Sequence, residues 1–305
     1  MSDFHIVVLG CTGGPFENNL SSYLLSTDDF IDFIALDAGS LLGGIEAALA
    51  KGVFADFPFI DSNSQKAKEL LAKHIKSYLI SHAHLDHIAG MVINSQLDEK
   101  KSIYGLDETI DHLRDHIFND KIWPNYGSEG LSPLHIYDYH RMAPEQITAV
   151  KGTPFSVMPF KLNHPEPHLS TAFLIEAKGA YVLYFGDTTS DIRSDTKRLM
   201  SIWQKVAPLI DEGKLKAILL ECSYAHANEK KAFFGHLDTH MMIQELRELS
   251  KLCKTLSHVK IVVTHRKQML LQSEEEPDLI EKELTALNDL GIEFIFPTQG
   301  QRITI

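Results

Sequence analysis

Ser81-His82-Ala83-His84-Leu85-Asp86-His87-Ile88-Ala89-Gly90 lies between the apolar runs Ser77-Tyr78-Leu79-Ile80 and Met91-Val92-Ile93. That arrangement reads as a strand end, a ligand loop and a helix start. His82 and His84, two apart in an extended segment, point the same way, so one cation can take a nitrogen from each at about 2.0–2.1 Å. Asp86 and His87 turn away as the helix begins, which places them to serve a neighbouring cation. Four potential ligands in H-x-H-x-D-H order are hard to reconcile with the bland alternative of solvent-exposed loop histidines.

Outward from that loop, chemistry-bearing residues recur where strands end. Residues 4–9 form a β-branched strand broken by Gly10-Cys11-Thr12-Gly13-Gly14-Pro15, which lacks the Lys-Ser/Thr pair of a phosphate loop and reads as a turn. Strands at 21–25 and 31–36 follow, the second ending in Asp37, a candidate cap for a helix over 40–50. A short strand at 102–104 precedes a helix over 107–118, where His112 and His116 share one face. Leu113 stands where H-E-x-x-H needs glutamate, so this is a solvated face. The longest irregular segment, 119–134, reads as a lid or insertion, and Trp123 and Tyr126 either stack on a purine or anchor the loop.

Strands at 155–162 and 171–177 flank Asn163-His164-Pro165-Glu166-Pro167-His168. A strand at 181–185 ends in Gly186-Asp187, and the helix after it carries Leu199, Ile202, Trp203, Val206 and Leu209 on one face. A strand at 216–220 ends in Glu221-Cys222-Ser223. His236 opens a helix with buried face Met242, Leu246, Leu249 and Cys253, and a strand at 260–263 ends in Thr264-His265. Glu274-Glu275-Glu276-Pro277 begins a further helix, before strands at 292–296 and 302–305. No Gly/Ser/Pro linker splits the chain, and the expected architecture is an αββα sandwich: two mixed β-sheets face to face with helices on the outer faces, residues 1–305 forming one domain.

The 305 residues are 44% hydrophobic and 23% charged, enough to bury a large core. A net charge of -12, with no basic run, argues against a long nucleic-acid partner. A small anion held by metal escapes that argument, because the cations supply the local field. Cys11, Cys222 and Cys253 are too few and dispersed for a disulfide framework, the first residues lack a signal-peptide pattern, and no run is long enough to span a membrane. The expectation is a cytoplasmic protein, for which a homodimer is compatible with the sequence.

The stretch His82-Ala83-His84-Leu85-Asp86-His87-Ile88-Ala89-Gly90-Met91-Val92-Ile93-Asn94-Ser95 resembles the signature of class II 3′,5′-cyclic-nucleotide phosphodiesterases, within the metallo-β-lactamase-fold superfamily. The resemblance implies that His164, Asp187 and His265 join the first cluster. One divalent metal is then held by His82, His84 and His164 and a second by Asp86, His87 and His265, with Asp187 between them. His168 is the rival to His164. Imidazole at His84 favours zinc, with manganese or iron as alternatives.

The resemblance further implies that Asp37 orients a ligand histidine from beneath, and that His236, charged and oriented by Glu221, protonates the leaving group while Asp86 counts among the catalytic residues. The implied reaction cleaves the 3′ ester of cyclic AMP or cyclic GMP. Base selectivity would rest on 119–134 and on Tyr224, Phe233 or Phe234. The rival readings are an RNA 3′-end endonuclease, a lactone or thioester hydrolase, and a protein that binds cyclic nucleotides without cleaving them.

Overall fold

The computed structural model describes residues 4–59, 65–165, 169–226, 235–267 and 276–305. Among them, fourteen strands form two seven-stranded sheets. The first sheet comprises β1 (His5–Gly10), β2 (Ser22–Ser26), β3 (Phe33–Leu36), β4 (Ile75–Leu79), β5 (Lys101–Leu106) and β6 (Tyr137–Met142), with β14 (Arg302–Thr304) at its edge. The second comprises β7 (Thr148–Ala149), β8 (Ser156–Leu162), β9 (Ser170–Ala177), β10 (Ala180–Phe185), β11 (Leu215–Glu221), β12 (Lys260–Thr264) and β13 (Glu293–Ile295).

The two sheets share one plan. In the first, β3, β4, β5 and β6 run parallel and the sheet continues from β3 through β2, β1 and β14 by successive antiparallel pairs; in the second, β10 to β13 run parallel and the sheet continues from β10 through β9, β8 and β7 by successive antiparallel pairs. Successive side chains of a strand face opposite ways, and the core follows that alternation. Ile6, Val8, Ile34 and Leu36 meet Phe173, Ile175, Val182, Tyr184 and Leu219 between the sheets. Val7, Leu9, Phe33 and Ala35 face outward, under α1 (Leu42–Ala50) and α3 (Leu85–Asn94), the latter following the short α2 (Lys66–Glu69). On the other outer face Leu183, Phe185, Leu220 and Val263 pack against α6 (Arg198–Asp211) and α7 (Thr239–Ser250). The result is the expected αββα sandwich.

Several local expectations need correction. The strand β6 was not foreseen: Tyr137-Asp138-Tyr139-His140-Arg141-Met142 is half polar, yet Tyr137, Tyr139 and Met142 are buried and the strand pairs with β5 over its whole length. His236 does not open a helix. It lies in the loop before α7, which begins at Thr239, where the Asp238 carboxylate accepts the Met241 N–H at 2.7 Å. Asp37 does not cap α1, whose N-cap is Leu41 without a side-chain bond. Within 119–134, Trp123 Nε1 donates to Ser95 Oγ at 2.9 Å and the Tyr126 ring packs on Phe118 and Tyr137, so both aromatics anchor the loop. Glu274, Glu275, His168, Phe233 and Phe234 lie outside the described residues.

Candidate metal centre

Strands β3, β4, β8, β10, β11 and β12 all run toward one edge of the sandwich, and the loops leaving them bring the chemistry together there, as open sheets do at the carboxyl ends of their strands. β4 delivers Ser81 and His82; His84 sits at the start of α3, whose first turn carries Asp86 and His87. The helix start is held against the loop after β3. Ala38 N donates to His87 O at 2.7 Å and Gly90 N to Gly39 O at 2.8 Å, and a Cβ at position 90 would come within 2.7 Å of Leu41 N. β8 leads to His164, β10 to Asp187, β11 to Glu221 and β12 to His265.

All seven residues expected as ligands converge, and they fall into two overlapping groups. Nitrogen and oxygen atoms of His82, His84, His164 and Asp187 lie within 4.8 Å of one another, and so do those of Asp86, His87, Asp187 and His265. In the first group His82 Nε2 is 3.0 Å from His84 Nδ1, His164 Nε2 is 3.3 Å from the same atom, and Asp187 Oδ2 is 3.6 Å from His82 Nε2. In the second, Asp187 Oδ1 is 3.1 Å from His87 Nε2 and 3.2 Å from His265 Nε2, which is 3.3 Å from Asp86 Oδ2. Donors about 2.1 Å from one cation stand roughly 3.0–3.4 Å apart for right-angled to tetrahedral coordination, so these spacings suit a shared ion.

The donor set passes a second test. His87 Nε2 and Asp187 Oδ1 are buried and have no hydrogen-bond partner among the described residues. The two face each other at 3.1 Å as a buried ion pair outside hydrogen-bond geometry, in a site lined by further imidazoles, an arrangement in which a cation could take both atoms. The centre is therefore suited to divalent metal.

Outer contacts fix the rings. Asp37 Oδ2 accepts His87 Nδ1–H at 2.7 Å, and the same carboxylate receives Ser81 N, Ser81 Oγ and the Tyr184 hydroxyl. The orienting role, not the capping role, is the one Asp37 fills. His82 Nδ1 is 3.0 Å from Ser81 Oγ, His265 Nδ1 is 2.9 Å from Ser223 Oγ, and His164 Nδ1 is 3.4 Å from Gly235 O. Both Asp37 (φ 53°) and His265 (φ 55°) take left-handed backbone, which aims each side chain across its strand end.

Electrostatics follow from burial and neighbours. Burial pushes the pKa of His82 well below the imidazole value and that of His164 down to about 4, keeping both in the neutral form that binds metal. Burial opposes charge on His87, but Asp187, Asp37 and Asp86 outweigh it and raise its pKa well above the usual value. Burial likewise opposes ionised Asp86 and Asp187, yet the surrounding imidazoles, chiefly His87 and His265, hold both carboxyls far below the usual range. The second group thus collects negative charge that a cation would neutralise.

Beside it stands the pair His236 and Glu221, the Nδ1 to Oε1 distance being 3.0 Å. His236 Nδ1 is also 3.8 Å from Asp187 Oδ2. Burial depresses His236 to about 4 and raises Glu221 to about 8, the latter with help from Asp187. Tyr224 is buried against His236, ring centroids 6.1 Å apart. A cavity of about 350 Å³ opens next to His164, lined by Asn163, Pro165, Thr189, Arg193, Thr196 and Arg198. Ser81, Ser223 and this cavity are additional to the residues expected from the sequence. The adjacency Ser81-His82 and the spacing Glu221-x-Ser223 were the available signals.

A model of the family described as class-II cAMP phosphodiesterases matches residues 4–300. A 3′,5′-cyclic-nucleotide phosphodiesterase of Aliivibrio fischeri is 36% identical over 304 residues, 98% of this chain and 92% of the relative. Among solved structures, unliganded yeast PDE1 superposes with a TM-score of 0.86 at 26% identity, covering 100% of this chain and 99% of that one. The metallo-β-lactamase fold protein YhfI of Bacillus subtilis superposes with a TM-score of 0.64 at 18% identity over 100% of both chains, a likeness of fold.

Proposed function

The chain belongs to the family of class-II cAMP phosphodiesterases, and from that premise we propose that it opens 3′,5′-cyclic nucleotides to nucleoside 5′-phosphates by hydrolysing the 3′ ester bond. The observation that carries this reading is the meeting of two donor groups at Asp187, with His87 Nε2 and Asp187 Oδ1 buried and 3.1 Å apart. In it, His82, His84 and His164 hold one divalent cation, and Asp86, His87 and His265 hold a second. Asp187 lies between them. An imidazole-rich set favours zinc, with manganese and iron as alternatives. When bound, two such cations lower the pKa of a water and offset the charge that builds on the phosphoryl oxygens.

The chain's own groups do the rest. Asp86, its side chain 22% exposed where its neighbours His87 and His265 are buried, orients the entering water. The departing O3′ is an alkoxide and leaves poorly without a proton. His236 supplies it: Nδ1–H is held by Glu221 Oε1, which leaves Nε2 as the ring atom that serves the leaving oxygen. Burial holds the ring neutral at rest, so Nε2 takes up the proton that the entering water loses as its bond to phosphorus forms, and passes it to O3′ as that bond breaks. The cavity beside His164, at about 350 Å³, matches the lower end of small-ligand sites and accepts the nucleoside.

One chain supplies every residue named, so a homodimer would carry two complete sites. Among the described residues no helix is long and apolar enough to cross a membrane. Three unpaired cysteines suit a cytoplasmic location. The test is release of the 5′-nucleotide from cyclic AMP and cyclic GMP by purified protein, with and without chelator. We expect metal-dependent turnover that is lost in Asp187→Ala. Metal uptake without turnover of either nucleotide would overturn the substrate assignment.

A further inference from the structure

Two buried hydroxyls stand in matching positions around the centre. Ser81 Oγ is 2.7 Å from Asp37 Oδ2 and 3.0 Å from His82 Nδ1, while Ser223 Oγ is 2.7 Å from Glu221 Oε2 and 2.9 Å from His265 Nδ1. All six side chains are at most 2% exposed, so water does not compete for these bonds. A hydroxyl has one proton to give and a carboxylate only accepts. Each serine therefore donates to its acid and accepts from its imidazole. Ser223 Oγ also lies 3.2 Å from His265 O, but Glu221 Oε2 at 2.7 Å is the closer acceptor and takes the proton. The hydrogen of each ring is thereby fixed on Nδ1, and Nε2 keeps the lone pair that a cation needs.

The second chain of bonds has a consequence the first lacks. Glu221 Oε1 accepts His236 Nδ1 at 3.0 Å and Thr188 N at 2.8 Å, while Oε2 takes Ser223. Resting on the metal-centre reading above, we propose that Ser223 is a positioning residue that ties Glu221 to His265, so that one buried acid orients both the metal-binding imidazole and the proton donor His236. Ser223 touches neither substrate nor cation. It sets the tautomer of His265 and leaves the donor limb to the other oxygen of Glu221.

The two limbs separate experimentally. Binding of Zn²⁺ alone is measured by competition with a chromophoric chelator for wild type, Ser223→Ala, Ser223→Thr and His236→Ala. Turnover of a cyclic nucleotide and of an aryl phosphodiester is then compared at saturating metal. Loss of such an outer contact weakens metal binding by about 10–100-fold. That loss is expected in Ser223→Ala, with the ratio of cyclic to aryl turnover unchanged. Ser223→Thr restores the hydroxyl and the affinity, whereas His236→Ala lowers the ratio and leaves affinity at the wild-type value.

Wild-type affinity in Ser223→Ala would overturn the proposal, as would a fallen ratio matching that of His236→Ala. Equal weakening in Ser223→Ala and Ser223→Thr would also overturn it, by marking a packing effect. A wild-type protein that takes up no Zn²⁺ would instead overturn the metal-centre reading itself.

Discussion

Asp37 Oδ2 lies 2.7 Å from His87 Nδ1, both side chains at most 1% exposed, and the same carboxylate receives three further donors from Ser81 and Tyr184. Four donors aimed at one side chain require a group that only accepts. An amide in its place offers a single acceptor and turns its NH₂ toward one of them. Asn tolerates the left-handed backbone of position 37, at φ 53°, so Asp37→Asn isolates the chemistry from backbone strain. The expected result is a folded protein, by circular dichroism, whose metal affinity falls about 10–100-fold in chelator competition. Unchanged affinity would mean that Asp37 serves the fold alone.

A Cβ at position 13 would stand 2.1 Å from Cε1 of the His265 ring, so this turn needs glycine to let the imidazole lie over it. Gly13→Ala must push His265 aside, and misplacement of a ligand by a fraction of an ångström disrupts the Asp86–Asp187–His265 geometry. Turnover should fall at least tenfold, with weaker binding of metal. The control is Gly43→Ala in α1, where an added Cβ meets nothing within 4 Å and helix propensity gains up to about 1 kcal/mol. Equal activity in the two variants would show that the centre tolerates the displaced ring.

The candidate metal loop was legible because its four potential donors fall within six positions, so their convergence is set largely by local backbone. Layering was legible too, since the alternation in His5-Ile6-Val7-Val8-Leu9 places successive residues on opposite faces. What stayed hidden depends on partners distant in sequence. The bond between Ser223 and His265 spans 42 positions, and that between Ser81 and Asp37 spans 44, so the local signals Ser81-His82 and Glu221-x-Ser223 do not point to the distant partner of either serine. The strand β6 escaped because Asp138, His140 and Arg141 break its apolar pattern, and at a sheet edge they stay half-buried or exposed while Tyr137, Tyr139 and Met142 are buried. Trp123 was ambiguous for a similar reason, its anchor at Ser95 lying on another element. The shared plan of the two sheets left no trace in the sequence, since any apolar β-branched strand satisfies it.

Away from the centre, Asp98 is buried with its side chain 0% exposed, paired to Lys101 Nζ at 2.5 Å and bonded by the hydroxyls of Tyr78 and Tyr137 at 2.6 and 2.9 Å. Burial lowers the pKa of Lys101, and Asp98 works against that shift. Lys101→Met removes the only cation the structure pairs with Asp98 among the described residues, and breaking a buried pair costs about 3–5 kcal/mol. Urea unfolding should reveal that loss. The double variant Lys101→Met/Asp98→Asn should recover part of it, because no buried charge is then stranded. Turnover per folded molecule should stay at the wild-type value in both.

The closing test concerns the leaving group. Nδ1 of His236 is tied to Glu221 Oε1, so the ring can present only Nε2 to a substrate. An alkoxide leaving from C3′ needs that proton, whereas a nitrophenolate does not. His236→Ala should therefore lower cyclic-nucleotide turnover by about 10²–10⁴, the usual worth of a general acid, and change aryl phosphodiester turnover only a few-fold. Glu221→Gln differs in kind. Its single acceptor oxygen cannot satisfy His236, Thr188 and Ser223 together, so the leaving-group preference and the metal affinity should both suffer. Steady-state rates on the two substrates, with Zn²⁺ titrations alongside, check both variants. Equal losses on both substrates in His236→Ala would remove it from the donor's role, and the ring would then act through Asp187, 3.8 Å away.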